Sequence, residues 1–230
     1  MSKVLSETRG AVRILTLNRP DKRNAADFEM QLALVEHLQA ARADKDLRAL
    51  VLTGAGGAFS AGGDRAVLQQ MAEGTFSGRA AYGKVHVDTI RTLLELDIPA
   101  IAAVPGFAVG YAAGLVALCD MVVMGESAFL SDPHVQFGVA ATSACQMVWP
   151  RMCSELVARE ILMTGRRVPA EEAVRIGLAS RTCPDGEELA EAMKLAEIFA
   201  AMPASGVAET KRAFNAALLE EAAKIPVPAD

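Results

Sequence analysis

Three histidines, His37, His86 and His134, are the side chains of this sequence best suited to move protons near neutral pH, because a free imidazole titrates at about 6.5. Other chemistry is poorly supported. No HxxxH pair is present, and Cys119, Cys145, Cys153 and Cys183 form no CxxC pair, so no metal site is expected. The run Gly125-Glu126-Ser127-Ala128-Phe129 departs from the GxSxG elbow of serine hydrolases. Phe59 stands where a dinucleotide fingerprint starting at Gly54 needs its third glycine. His134 follows Asp132 by two residues, so a carboxylate stands close in sequence to orient the ring or titrate beside it. His37 adjoins Glu36 on a polar helix face and is expected at the surface.

A second kind of chemistry is written in the backbone. Leu50–Thr53 reads as a strand, then comes Phe59-Ser60-Ala61-Gly62-Gly63-Asp64, then a helix. Ile101–Val104 reads the same way, followed by Pro105-Gly106-Phe107-Ala108-Val109-Gly110 and a helix from Tyr111. The first N–H groups of a helix lack intrahelical acceptors and suit a developing negative charge. Two such donors converging from different loops would form an oxyanion hole.

The elements that must hold these groups are legible from hydrophobic period. Val12–Leu17, Ala49–Thr53, Ala100–Val104 and Met121–Met124 read as strands. Asp27–Arg42 spaces Phe28, Leu32, Val35 and Leu38 as the apolar face of a helix capped by Asp27, and a further helix runs through Lys84–Leu96. Alternating strands and helices imply an α/β fold. After Pro169 the pattern becomes Ala170–Ile176, Glu187–Ala200 and Ser205–Ala223, three helices with no strand expected between them. The division is a core over residues 1–168 and a helical region over 169–230. Leu189, Met193, Ala196, Phe199 and Met202 recur at helical spacing, and a tail this short should need neighbouring subunits to cover that face.

Composition narrows the partners. The chain of 230 residues is 52% hydrophobic and 22% charged, enough for a large core and inconsistent with disorder. A net charge of -5 argues against nucleic acid or an anionic membrane as the general ligand. The longest apolar stretch, Ile98–Ala117, is broken by Pro99 and Pro105 and is no membrane span. The N-terminus is strand-like and unlike a targeting peptide, so a cytoplasmic protein with reduced thiols is expected.

Four motifs in order then point to a family. Leu17–Ala25 (LNRPDKRNA), Val51–Asp64 (VLTGAGGAFSAGGD), Ile98–Gly110 (IPAIAAVPGFAVG) and Met163–Ser180 (MTGRRVPAEEAVRIGLAS) resemble the crotonase, or enoyl-CoA hydratase/isomerase, superfamily. The resemblance implies a ββα spiral core with a C-terminal helical oligomerisation region, here shorter than usual. It implies trimers or dimers of trimers and an acyl-CoA thioester substrate, with no separate cofactor. The two oxyanion donors would be the N–H groups of Gly63 and Tyr111, the latter a departure from the family's glycine. Coenzyme A would meet Lys22, Arg23 and Ala25, then Ala61, Gly62 and Asp64, while His86 would lie on a helix bordering the acyl pocket. The family's two catalytic glutamates fall on Gly114 and His134, so neither is present. The reaction implied is stabilisation of an acyl-CoA enolate or oxyanion, with His134 as acid/base beside Asp132. Asp132-Pro133-His134 with Trp149-Pro150 also resembles a divergent branch that includes β-diketone C–C hydrolases of the 6-oxocamphor hydrolase type. A non-catalytic CoA-binding relative is the third possibility. The lysine-rich helix of an RNA-binding relative has no counterpart, since Asp27–Arg42 contains no lysine.

Overall fold

A computed structural model describes residues 2–227. The chain runs β1 (Val4–Arg9), β2 (Val12–Leu17), α1 (Phe28–Ala43), β3 (Ala49–Gly54), α2 (Arg65–Ala72) and α3 (Arg79–Leu94). It continues through β4 (Ala100–Val104), β5 (Phe107–Val109), α4 (Tyr111–Ala117), β6 (Met121–Gly125), β7 (Phe129–Ser131), α5 (Ser143–Met152) and α6 (Glu155–Thr164). The last elements are β8 (Val168–Pro169), α7 (Ala170–Ile176), β9 (Arg181–Cys183), α8 (Glu188–Ala200) and α9 (Ala204–Ala222).

Six strands form the main sheet in the order β1-β2-β3-β4-β6-β9, with β1 antiparallel to β2 and every other pair parallel. Its inner strands are buried on both faces, and the period-two alternation divides their side chains between two cores. Leu15, Leu50, Leu52, Ala102 and Val104 join the larger core, which also holds Met30, Leu34 and Leu38 of α1, Ile90 and Leu93 of α3, and Trp149 of α5. Ile14, Val51, Ile101, Ala103 and Val123 face the other way, onto Ala192, Leu195 and Ala196 of α8.

Above this sheet lies a smaller one, β5-β7-β8, and the chain climbs between the two layers in repeats. β4 is followed by β5 and then α4; β6 is followed by β7, a 3-10 turn at His134–Phe137, and α5. The first repeat is abbreviated: after β3, Ser60 makes a single parallel bridge to Ala108 of β5 before α2 begins. Ser60, β5 and β7 are thus neighbouring parallel segments, and the residues that follow each of them emerge at one end of the upper layer.

Three expectations need correction. α1 begins after an Asp27 cap that accepts from the Met30 N–H, but its buried stripe is Met30, Leu34, Val35, Leu38 and Ala41. Phe28 and Leu32 are exposed, and Phe28 instead stacks on Tyr82. The tail is not purely helical, because β9 lies between α7 and α8 and extends the main sheet beside β6. Its apolar face is covered from within the same chain: Leu189, Met193, Ala196 and Phe199 rest on the second core, and only Met202 is left exposed. Among the described residues no helix is long and apolar enough to cross a membrane.

Candidate active site

The loop after β2 is laced to the loop after β3 by one buried side chain. Asn24 takes a left-handed conformation (φ 56°) that short polar side chains tolerate better than others. Its amide donates to the Ala55 and Ala58 carbonyls, each at 2.8 Å, and accepts from the Arg19 N–H at 2.9 Å. Ser60 closes the seam, donating to the Asn24 carbonyl at 2.6 Å and accepting from the Gly62 N–H at 3.0 Å. Asn24 and Ser60 lie inside the motifs read in the sequence, but nothing in their spacing marked them as the fasteners.

That lacing sets the first donor. Ala26 and Gly63 form a parallel bridge in which the Ala26 N–H bonds the Gly62 carbonyl (2.7 Å) and the Asp64 N–H bonds the Ala26 carbonyl (3.2 Å). The Gly63 N–H points away from this ladder and has no acceptor among the described residues. Tyr111 is the first residue of α4, and its N–H is likewise free. The two loops touch closely. Gly62 (φ 92°) would place a Cβ 2.3 Å from the Val109 carbonyl oxygen and 3.5 Å from the Tyr111 nitrogen, so a side chain there has no room.

The third segment follows β7. The Gly110 N–H donates to the Ser131 carbonyl at 2.8 Å, which seats Asp132 and His134 beside the start of α4. Gly110 also has positive φ (56°), and a Cβ on it would lie 2.9 Å from His134 Cε1 and 3.5 Å from Nε2. The imidazole therefore lies directly against the residue preceding the second free N–H. His134 Nδ1 hydrogen-bonds Asp132 Oδ1. Asp132 is fully buried, and its other oxygen accepts from the Thr142 N–H (2.8 Å) and hydroxyl (2.9 Å). Burial alone would push this carboxyl upward, but the hydrogen bond and charge of His134 and the Thr142 donors outweigh it and hold it below the ordinary carboxylate value.

His86 completes the cluster from α3. Its ring centroid lies 5.9 Å from that of Tyr111, and neither ring nitrogen has a hydrogen-bond partner among the described residues. Burial, aided by the nearby charge of His134, lowers it to about 4, so it is neutral at physiological pH. The Tyr111 phenol is pushed up by burial, its hydroxyl 3.5 Å from Thr89. Cys145 is buried close to Asp132, and burial raises its thiol well above the usual range, so it is no nucleophile. Gly114 is backed by α5, where Ala144 Cβ and the Thr142 hydroxyl would each be 3.3 Å from an added Cβ.

The structure thus brings Gly62, Gly63, Tyr111, Asp132, His134 and His86 together. Lys22 and Arg23 are exposed on the neighbouring loop and pair with no acidic side chain among the described residues. The Arg23 carbonyl accepts from the Ala61 N–H at 2.8 Å, which keeps Lys22, Arg23, Ala25 and Ala61 on one rim. Asp64 is engaged within the protein, 3.8 Å from Arg19 and accepting from the Ala66 N–H. His37 is half-buried on α1, not exposed, and takes part in none of these contacts. Trp149 belongs to the core.

Residues 7–225 match the sequence profile of the family described as enoyl-CoA hydratase/isomerase. An enoyl-CoA hydratase of Mycobacterium tuberculosis is 34% identical over 197 residues, covering 86% of this chain and 74% of its own length. A carnitinyl-CoA dehydratase of Salmonella typhi is 34% identical over 218 residues, 94% of this chain and 82% of that protein. Among solved structures, an enoyl-CoA hydratase/isomerase from Mycobacterium paratuberculosis superposes with a TM-score of 0.87 at 38% identity, over 97% of this chain and 89% of that one.

Proposed function

Given that the chain belongs to the enoyl-CoA hydratase/isomerase family, we propose that it is an enzyme acting on an acyl-CoA thioester, with the free N–H groups of Gly63 and Tyr111 polarising the thioester carbonyl and His134 moving the proton. The observation that carries this reading is the seating of a carboxylate-bound imidazole against Gly110, one residue from a free N–H. Polarisation acidifies the carbon next to the carbonyl, and an anion formed there spreads onto the oxygen that the two N–H groups face. Nδ1 is tied to Asp132, so Nε2 is the nitrogen left to accept the proton and return it. Lys22 and Arg23 are the cations available to coenzyme A phosphates on the adjoining rim. With Gly114 and His134 in the two glutamate positions, the two-carboxylate addition of water has no acid/base pair to run on.

The test does not depend on the final product. Incubation of butyryl-CoA or acetoacetyl-CoA with the protein in deuterated water should exchange the hydrogens next to the carbonyl. His134→Ala should slow exchange by about 10²–10⁴-fold while coenzyme A affinity is unchanged. Undiminished exchange by a folded His134→Ala protein would overturn the assignment and move the proton-transfer role to His86 or Asp132. Crotonyl-CoA hydration should be slow in both proteins.

A further inference from the structure

Thr142 has been met above only as a hydrogen-bond donor, but its hydroxyl also accepts. A hydroxyl has one hydrogen and two lone pairs. One lone pair of Thr142 accepts from the Cys145 N–H at 3.4 Å, as the cap of α5. The hydrogen is then directed at Asp132 Oδ2, 2.9 Å away, and the Thr142 backbone N–H reaches the same oxygen at 2.8 Å. Both strong donors to Oδ2 come from this one residue, which leaves Oδ1 to face His134 Nδ1. An acceptor at that position requires the imidazole to carry its hydrogen on Nδ1, which frees Nε2 as a base. The same hydroxyl would lie 3.3 Å from a Cβ on Gly114, so it borders the space that a side chain at that position would enter.

We propose that Thr142 is a positioning residue: it clamps Asp132 through two donors to one oxygen and thereby fixes the tautomer in which His134 acts. This rests on the role given to His134 above, but it concerns the protein alone and is testable without substrate. The clamp ties the cap of a helix to the protonation pattern of the site, so α5 and the dyad form together.

The experiment is nitrogen-15 NMR of histidine-labelled protein at alkaline pH, where an imidazole is neutral, with the His134 signals assigned by their loss in His134→Ala. The wild type should show His134 in the Nδ1–H form. Thr142→Ser, which keeps both donors, should show the same. Thr142→Val and Thr142→Ala should each yield a mixture containing the Nε2–H form, with turnover lowered by roughly tenfold at unchanged KM, as expected for loss of one hydrogen bond to a charged group. A sole Nδ1–H form in either folded variant, or a mixture in Thr142→Ser, would overturn the proposal. A measurement on the wild type covers the case in which the variants do not fold: the Thr142 amide nitrogen should show a through-hydrogen-bond coupling to the Asp132 side-chain carboxyl carbon, and no such coupling rejects the clamp. Absence of acyl exchange in the wild type would sink the functional reading and leave the tautomer result to stand separately.

Discussion

Burial keeps His86 neutral down to a pH of about 4, whereas the same ring in the unfolded chain protonates near 6.5. Between those values the unfolded chain binds a proton that the native one refuses. Stability is therefore full above about 6.5 and falls as the pH drops towards 4, by up to about 3 kcal/mol. Urea unfolding at stepped pH should show this slope, and His86→Gln should flatten it. Asp132 contributes in a lower window. Its folded value is depressed, so its stabilisation is complete above the ordinary value of 3.8 and disappears as the pH falls through the folded one. Asp132→Asn should destabilise by about 1.5–3 kcal/mol at neutral pH, with the difference narrowing in acid. The candidate dyad was legible because Asp132 and His134 are two residues apart in a chain with three histidines. Thr142 was not, because its partner is ten residues away across a turn that only β7 and α5 define.

At the scale of elements, the site depends on three short segments ending side by side. Gly62→Ala combines positive φ with a Cβ 2.3 Å from the Val109 oxygen, so the loops after β3 and β5 must separate. The expected outcome is a loss of about 1–3 kcal/mol with strongly reduced exchange activity, read by calorimetry and the deuterium assay. Gly63→Pro removes a single N–H and should lower the rate by about 10²–10³-fold in a folded protein, with coenzyme A binding retained. Strands β2, β3, β4 and β6 were readable because each gathers four or five apolar residues into a span of five or six, a density that has few other uses. β5, β7 and β8 span three residues or fewer, too short to display a period, and their pairing is decided by the layer beneath. α1 shows the reverse error: Phe28 and Leu32 have the right spacing, but the sheet accepts the neighbouring stripe led by Met30 and Leu34.

For the whole molecule, two expectations concern what binds it. Coenzyme A at about a hundredfold excess over its Kd should stabilise the fold by ~2.7 kcal/mol, a thermal shift of several degrees, and the double change Lys22→Glu, Arg23→Glu should abolish most of it. A shift with a cyclic diketone but none with coenzyme A would favour the diketone hydrolases instead. Self-association as a trimer or dimer of trimers is expected through surfaces other than the face of α8, which its own sheet occupies. Leu156 and Met163 of α6 are 78% and 72% exposed, an unusual position for such side chains. Sedimentation should show an oligomer, and Leu156→Glu with Met163→Glu should shift it towards monomer; a wild-type monomer at micromolar concentration would refute the expectation.

The strand contributed by the tail has a consequence for synthesis. β9 pairs with β6 across some sixty positions of sequence. Until residues 181–200 have left the ribosome, Ile14, Val51, Ile101 and Val123 have no layer over them, and β6 presents an unpaired edge. A nascent chain stalled near residue 168 should therefore bind chaperones and be readily cleaved by protease, although every residue assigned to the chemistry has already been made. The protein acquires its reactive groups before it acquires the surface that keeps them soluble.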